Sequence, residues 1–363
     1  MKYLVKFKLF EEINYRDISE IVTGFDDYFT VSFEFEIETE SQDDIKLNFE
    51  DLDDEIAEDI IAIIFKDLEV RGRTNKKFVR DLVYSLLDYV DNDVIDIETY
   101  NSMFSDGVAS NSEQINILRH AKAVISSFIG IEDLTHLKKM VKLHLSDFYR
   151  KWYRRIDFIG DATLDRGIEI KPKTYLKSIS ESIEMLNDFF TNMKSQDYWV
   201  FSERTGLHIN VGTNKKSEWN SIKGLLILND ISKSGTPLVF KDMTWRMNNN
   251  FCGSLISQIN NMSDIEKLDL KSKIDLNNVN SAEDILNQFL VERIKLWGVK
   301  NFGFNITKLD QNYVEFRYVG GIINSEVVIE KLKYFCFLVY CMTNKEYKRK
   351  EYLGKLYKFV DNL

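Results

Sequence analysis

Proline is nearly absent: Pro172 and Pro237 are the only two in 363 residues, which excludes long proline-rich linkers. The three cysteines, Cys252, Cys336 and Cys341, cannot build a disulfide framework, and their spacing does not suit a zinc knuckle. Cys336 and Cys341 stand in the apolar run Tyr334 to Met342, where buried, reduced thiols are expected. No run approaches the ~18 apolar residues that a membrane span needs. Lys6 and Lys8 interrupt the apolar residues of the N-terminus, so no signal-peptide core is expected there. A cytoplasmic protein with no membrane partner is the expectation. There is no GxxxxGK loop, HExxH helix, GxSxG elbow or CxxC pair, which removes the corresponding ATPase, metalloprotease, hydrolase and redox classes. Of four histidines, His120, His136 and His144 lie in helical runs without ligand spacing to acids. They read as surface or capping residues.

What is present belongs to a globular chain. Hydrophobic residues make up 44% and aromatics 13%, too many for disorder. The length points to two domains, or one large domain carrying an insertion. The formal net charge is −10. Residues 40–69 alone hold twelve acids and two lysines, a local surplus equal to that of the whole chain. The stretch Lys331 to Lys358 is basic instead, with eight Lys/Arg against Glu346 and Glu351. Each block reads as a solvated helix face. An acidic chain is a poor general nucleic-acid binder.

Hydrophobic periodicity divides the chain. Alternation over Val31–Thr39, Arg155–Gly160, Gly167–Lys171, Gly206–Gly212, Asn301–Lys308 and Tyr313–Gly320 predicts strands with one apolar face. Helices are predicted over Ser178–Lys194, with Ile179, Ile183, Leu186 and Phe190 inward, and over Ser217–Ile231. A third, Ser281–Trp297, starts at a capping Ser281 and turns Ile285, Phe289, Ile294, Trp297 or close neighbours inward. Residues 41–150 lack alternation but contain amphipathic runs such as Ile56–Phe65, Phe78–Tyr89, Ile115–Phe128 and Leu134–Phe148. The predicted fold class is α+β: a largely antiparallel sheet flanked by helices, formed by 1–40 and 151–363, with 41–150 a helical insertion.

The polar parity of the strands carries the chemical signal. Phe33, Phe35 and Ile37 alternate with Glu34, Glu36 and Glu38. Glu169 lies between Ile168 and Ile170; His208 and Asn210 alternate with Leu207, Ile209 and Val211. Asn305 lies between Phe304 and Ile306, and Glu315 and Arg317 alternate with Val314, Phe316 and Tyr318. Taken singly, each of these could be a solvated strand face, a structural histidine or a cross-strand ion pair. Gathered on one face, the carboxylates would repel unless cations neutralise them. Oxygen-rich clusters suit Mg²⁺, and Arg317 adds charge for a phosphoryl or carboxylate group.

In order along the chain, SFEFEIE (32–38), GDATLDRGIEIKP (160–172), TGLHINVG (205–212), TWRMNNN (244–250), FGFNITKLD (302–310) and VEFRYVGG (314–321) resemble the putative amidoligases, carboxylate–amine ligases with a glutamine-synthetase-like sheet. The resemblance covers a little over half of the chain. It implies an ATP- and Mg²⁺-dependent ligase in which a carboxylate attacks the γ-phosphate and an amine displaces the resulting acyl phosphate. Small-molecule or peptide carboxylates, including amino-acid or cell-wall peptide acids, and amines would be the substrates. Carried over, Glu34 and Glu36 match the metal-binding Glu-x-Glu pair, although Glu38 leaves Glu36/Glu38 as the other possible register. Glu169 matches the carboxylate of the third motif, and His208 a histidine near metal and nucleotide. Arg246 matches a nucleotide-phosphate contact, Glu315 and Arg317 hold metal and phosphate, Asp161 orients its neighbours, and Asn305 supports. Ser32 stands where the family usually has glycine. Asn210 replaces a common second histidine, which weakens a metal contact or alters substrate choice.

Two other classes compete. One is a ligase-like fold without activity serving as a structural or interaction module, viral or phage-borne, with the insertion as its protein-binding part. The other uses Tyr149 to Arg155, where aromatics interleave with basic residues, to stack on nucleic-acid bases. The competing reading of that stretch is a helix end running into a strand.

Overall fold

A computed structural model describes residues 22, 24–39, 143, 146–152, 154–161, 167–194, 199–200, 205–228, 239, 262–297, 302–320, 324–344, 353–354, 356–358 and 360. The expected insertion 41–150, apart from its last residues, lies outside them, as do Cys252 and the loop Ser232 to Pro237. The chain divides into two compact units, cut after Glu36, Ile170, Thr191 and Val200.

The first unit is built on four strands. Strand β1 (Phe29–Thr39, of which residues to Glu36 belong here) pairs antiparallel with β5 (Gly206–Thr213). Strand β5 pairs antiparallel with β7 (Tyr313–Gly320), and β7 with the short β6 (Phe304–Asn305). Alternation works as the sequence predicts. Phe33, Phe35, Leu207, Ile209, Val211, Val314 and Phe316 are buried on one side. Helix α2 (Ile179–Lys194) covers part of that side, its Phe189 ring stacked on Phe35 with centroids 3.9 Å apart. Helix α6 (Ser325–Thr343) covers another part, with Phe335 stacked on Phe316 at 4.2 Å and 5° between planes. Behind α6 lie α3 (Ser221–Leu228) and α5 (Val279–Trp297), tied by Ser221 Oγ and the Ile222 amide donating to Asn287. Gly224 lies against Met342, where a Cβ would meet its sulfur at 2.5 Å.

Several local expectations change. The fifth predicted strand shrinks to Phe304–Asn305, because the chain turns at once and the Thr307 amide and hydroxyl donate to Asn305 Oδ1. Helix α3 begins at Ser221 rather than Ser217: the Ser217 amide and the Trp219 indole donate to Asn312 Oδ1, which holds 216–220 outside the helix. Helix α5 begins at Val279, with Asn278 rather than Ser281 accepting at its start, from the Ser281 amide. Its inward face is Ala282, Leu286, Leu290 and Ile294, one position along from Ile285 and Phe289. Helix α4 (Asp264–Lys273) was not predicted, although Ser263 and Glu266 form a full capping box there. The basic C-terminal block is not uniformly solvated, since Lys331 is fully buried within α6. Cys336 and Cys341 are buried as expected, and burial, with Asp26 nearby, pushes the Cys336 thiol up.

In the second unit the strand order is β2-β3-β1, with β2 (Ile156–Asp161) preceded by the short helix α1 (Asp147–Trp152) and β3 (Gly167–Pro172) next in sequence. The end of β1 pairs antiparallel with β4 (Trp199–Val200), Glu38 opposite Val200. Phe148, Tyr149 and Trp152 are buried, and Lys151 and Arg155 lie 5.4 and 5.3 Å from the Trp152 ring. These aromatics are core residues, which favours the helix-into-strand reading over base stacking. Among the described residues no helix is long and apolar enough to cross a membrane.

The stacked pair Phe316–Phe335 joins sheet to helix. Phe335→Ala should lower the unfolding free energy by about 3–5 kcal/mol. Urea titration of the full chain reads this as a shifted midpoint at unchanged slope.

Candidate functional site

The pairing registers of β1, β5 and β7 arrange the polar parity into rows. Ser32 is opposite Asn210, which is opposite Glu315, which in turn is opposite Asn305. Glu34 is opposite His208. Between Leu207 and Ile209 the β5–β7 register shifts by one residue, so two residues of β7, Arg317 and Tyr318, answer His208. Alternation from Glu315 keeps Arg317 on the polar side, where its Nε donates to His208 Nε2 at 3.3 Å, and the shift brings Val319, next to the buried Tyr318, to the core side opposite Leu207. Gly206 keeps the edge of this face open, since a Cβ there would sit 3.0 Å from Glu36 Oε2.

His208 is the hub. It is 7% exposed, so whatever its ring contacts is fixed by the protein rather than by bulk water. Because Arg317 donates to Nε2, the ring proton belongs on Nδ1, which donates to Glu34 Oε2 at 3.1 Å. Nδ1 is also 3.9 Å from Glu315 Oε1, and Nε2 is 3.6 Å from Glu36 Oε1. Glu34 Oε1 accepts from Asn210 Nδ2 at 3.2 Å. Glu315 is held from both sides, by Arg317 Nε at 3.3 Å and by Asn305 Nδ2 at 3.0 Å. Burial opposes ionisation of Glu34, but the His208 hydrogen bond, the Asn210 amide and the Lys171 charge outweigh it and bring its carboxyl below the usual value.

Glu34, His208 and Glu315 each offer one ligand atom within 4.8 Å of the others. Two carboxylate oxygens and an imidazole nitrogen form a donor set suited to a divalent cation. The surrounding charges agree. Glu34, Glu36 and Glu315 bring three negative charges, against which Arg317 and Lys171 bring two positive, so the face keeps a negative surplus that favours a cation.

Of the residues singled out in the sequence, Glu34, Glu36, His208, Asn210, Asn305, Glu315 and Arg317 are gathered here. Glu38, buried opposite Val200, and Glu169, half-buried on β3, belong to the second unit. Within the first unit it is therefore Glu34 and Glu36, not Glu36 and Glu38, that approach His208. Arg246 and the side chain of Asp161 lie outside the described residues.

Sequence reasoning missed two tyrosines. Tyr313 shares parity with Glu315 and Arg317 and could have been read from the same alternation. Tyr175 precedes Leu176, which bridges to Val31 of β1, and its ring lies 5.5 Å from that of Tyr313. Nothing in the sequence periodicity marks it. Burial, then Tyr313, Glu34 and Glu315, hold its phenol protonated far above the ordinary range.

The lowered Glu34 carboxyl has a definite sign. Its contacts stabilise the fold fully above the unfolded value of 4.5, and that stability is lost as pH falls through the lower native value. Glu34→Gln should therefore flatten the acid side of the stability profile, read as urea midpoints measured stepwise below pH 5; an unchanged acid slope would remove Glu34 from this role. Comparisons with protein-family models, curated proteins and solved structures found no match to this chain, so its function is argued from the geometry of this face.

Proposed function

We propose that the chain is an ATP- and Mg²⁺-dependent ligase that joins a carboxylate to an amine, on a glutamine-synthetase-like fold of the amidoligase kind. The observation that carries this reading is the convergence of Glu34, His208 and Glu315 around one point, with Arg317 fixed beside them. The resemblance of the six motifs adds the reaction class.

Glu34, His208 and Glu315 would hold the cation, with Glu36 adjacent. Bound there, the cation would neutralise charge on the phosphate oxygens. Arg317, positioned by Glu315 and His208, would meet the phosphoryl group in transfer and balance its charge. The substrate carboxylate oxygen attacks the γ-phosphorus and ADP leaves with the bridging oxygen. The amine nitrogen then attacks the acyl carbon, the C–O bond to phosphate breaks, and the amine proton passes to solvent or a neighbouring base. Asn305 acts at one remove, holding Glu315. Substrates of this class are amino-acid or peptide carboxylates and small amines.

The test is calorimetric titration with ATP, with and without Mg²⁺, followed by ADP release in the presence of candidate acids and amines. Mg²⁺-dependent binding is expected, and Glu315→Gln should lower turnover at least about 100-fold while the melting temperature stays close to that of the parent. Absence of nucleotide binding across a wide concentration range would replace this reading with that of a structural or interaction module.

A further inference from the structure

Asn210 stands at the middle of the polar face, between Ser32 on β1 and Glu315 on β7, and is 5% exposed. Its amide orientation is set by one contact. Nδ2 donates to Glu34 Oε1 at 3.2 Å, and the flipped amide would press a carbonyl oxygen against a carboxylate. In the orientation that remains, Oδ1 is buried and has no hydrogen-bond partner among the described residues. A buried acceptor left this way is destabilising, and native structures rarely keep one without a reason.

The surroundings say what is missing. Of the polar neighbours of Asn210 on this face, Glu34 and Glu315 are acceptors and the Ser32 hydroxyl does not donate to Oδ1, so the absent partner is a donor or a cation. A single water has two protons to give and would face more acceptors than that. A cation satisfies all of them together.

Resting on the cation site of the preceding section, we propose that Asn210 Oδ1 is a further oxygen ligand to the ion held by Glu34, His208 and Glu315, and that it tilts the centre towards Mg²⁺ and Mn²⁺ and away from Zn²⁺. An amide oxygen is a hard, uncharged donor. It makes the set three oxygens to one nitrogen, where an imidazole at the same position would make it two and two. Oxygen donors suit Mg²⁺ and Mn²⁺, and added imidazole suits Zn²⁺. Asn210 thus strengthens rather than weakens the centre for hard cations, contrary to what its replacement of a histidine suggested.

The test uses the full chain without nucleotide and adds MnCl₂, MgCl₂ or ZnCl₂ alone. Bound Mn²⁺ is counted by electron paramagnetic resonance, and Mg²⁺ and Zn²⁺ by calorimetry. Asn210→Leu should weaken Mn²⁺ and Mg²⁺ binding about tenfold or more. Asn210→Asp, which keeps an oxygen but loses the amide donor to Glu34, should bind Mn²⁺ at least as well as the parent. Asn210→His should raise the ratio of Zn²⁺ to Mn²⁺ affinity about tenfold or more. Should Asn210→Leu fail to fold, the Asp and His variants decide the matter by the same ratios. Unchanged Mn²⁺ affinity in Asn210→Leu, or equal weakening in Asn210→Leu and Asn210→Asp, overturns the proposal and leaves the ligase reading standing. Asn210-dependent Mn²⁺ binding by a protein that never binds ATP supports the proposal and overturns the ligase reading. A parent protein that binds no divalent cation overturns both.

Discussion

The polar face depends on the pairing register of β1 with β5 and of β5 with β7. Side chains alternate with a period of two, so a slip of one residue would send every carboxylate into the core and every phenylalanine to the opposite side. The apolar parity prevents this. Phe33, Phe35, Ile209, Val314 and Phe316 are essentially unexposed and meet the aromatic faces of α2 and α6. Burying each such side chain is worth roughly 1.5–3 kcal/mol. The site is therefore held by the side of the sheet that carries none of its chemistry.

That coupling explains how three carboxylates can lie around one imidazole. Each is costly to desolvate alone, and two of them are given specific partners instead: Asn210 and His208 for Glu34, Asn305 and Arg317 for Glu315. Arg317 shares the parity of Glu315 and reaches both Glu315 and His208 from this side. Without the register shift the alternation of β7 would run on unbroken and Val319 would take the polar parity; with it, Val319 meets Leu207 on the buried side. A bulge beside a candidate site thus has a definite task, returning the end of the strand to the core just beyond the guanidinium.

Much of this was legible before the structure. Alternation gave the strands and the inward phenylalanines, and it put Glu34, His208, Asn210, Glu315 and Arg317 on a common parity. Parity does not give pairing, however. Whether Glu34/Glu36 or Glu36/Glu38 approaches His208 depends on which residue of β1 faces His208, a long-range fact that no local pattern contains. The register shift was hidden for the same reason, and so was Tyr175, which comes from a bridge rather than a strand. Other misses had local signals. Ser263 and Glu266 spelled a capping box ahead of a weakly amphipathic helix, and Asn278 was overlooked beside the more conventional Ser281. Lys331 misled because a run of basic residues says nothing about which single member faces inward.

The tautomer of His208 couples Arg317 to the carboxylates. With Arg317 donating to Nε2, the ring carries its proton on Nδ1, the atom nearest to both Glu34 and Glu315. That proton stands between the carboxylates where a dication would otherwise neutralise them. Ligation through Nδ1 requires the proton to move to Nε2, which then faces Glu36 Oε1, 3.6 Å away, and no longer accepts from Arg317, so proton and cation exclude one another at Nδ1. Arg317 therefore acts on the centre from a distance as well as through its own charge: by donating to Nε2 it decides which nitrogen carries the proton before a cation arrives. A residue that looks from the sequence like a phosphate ligand alone is, in the folded chain, also what orients the histidine.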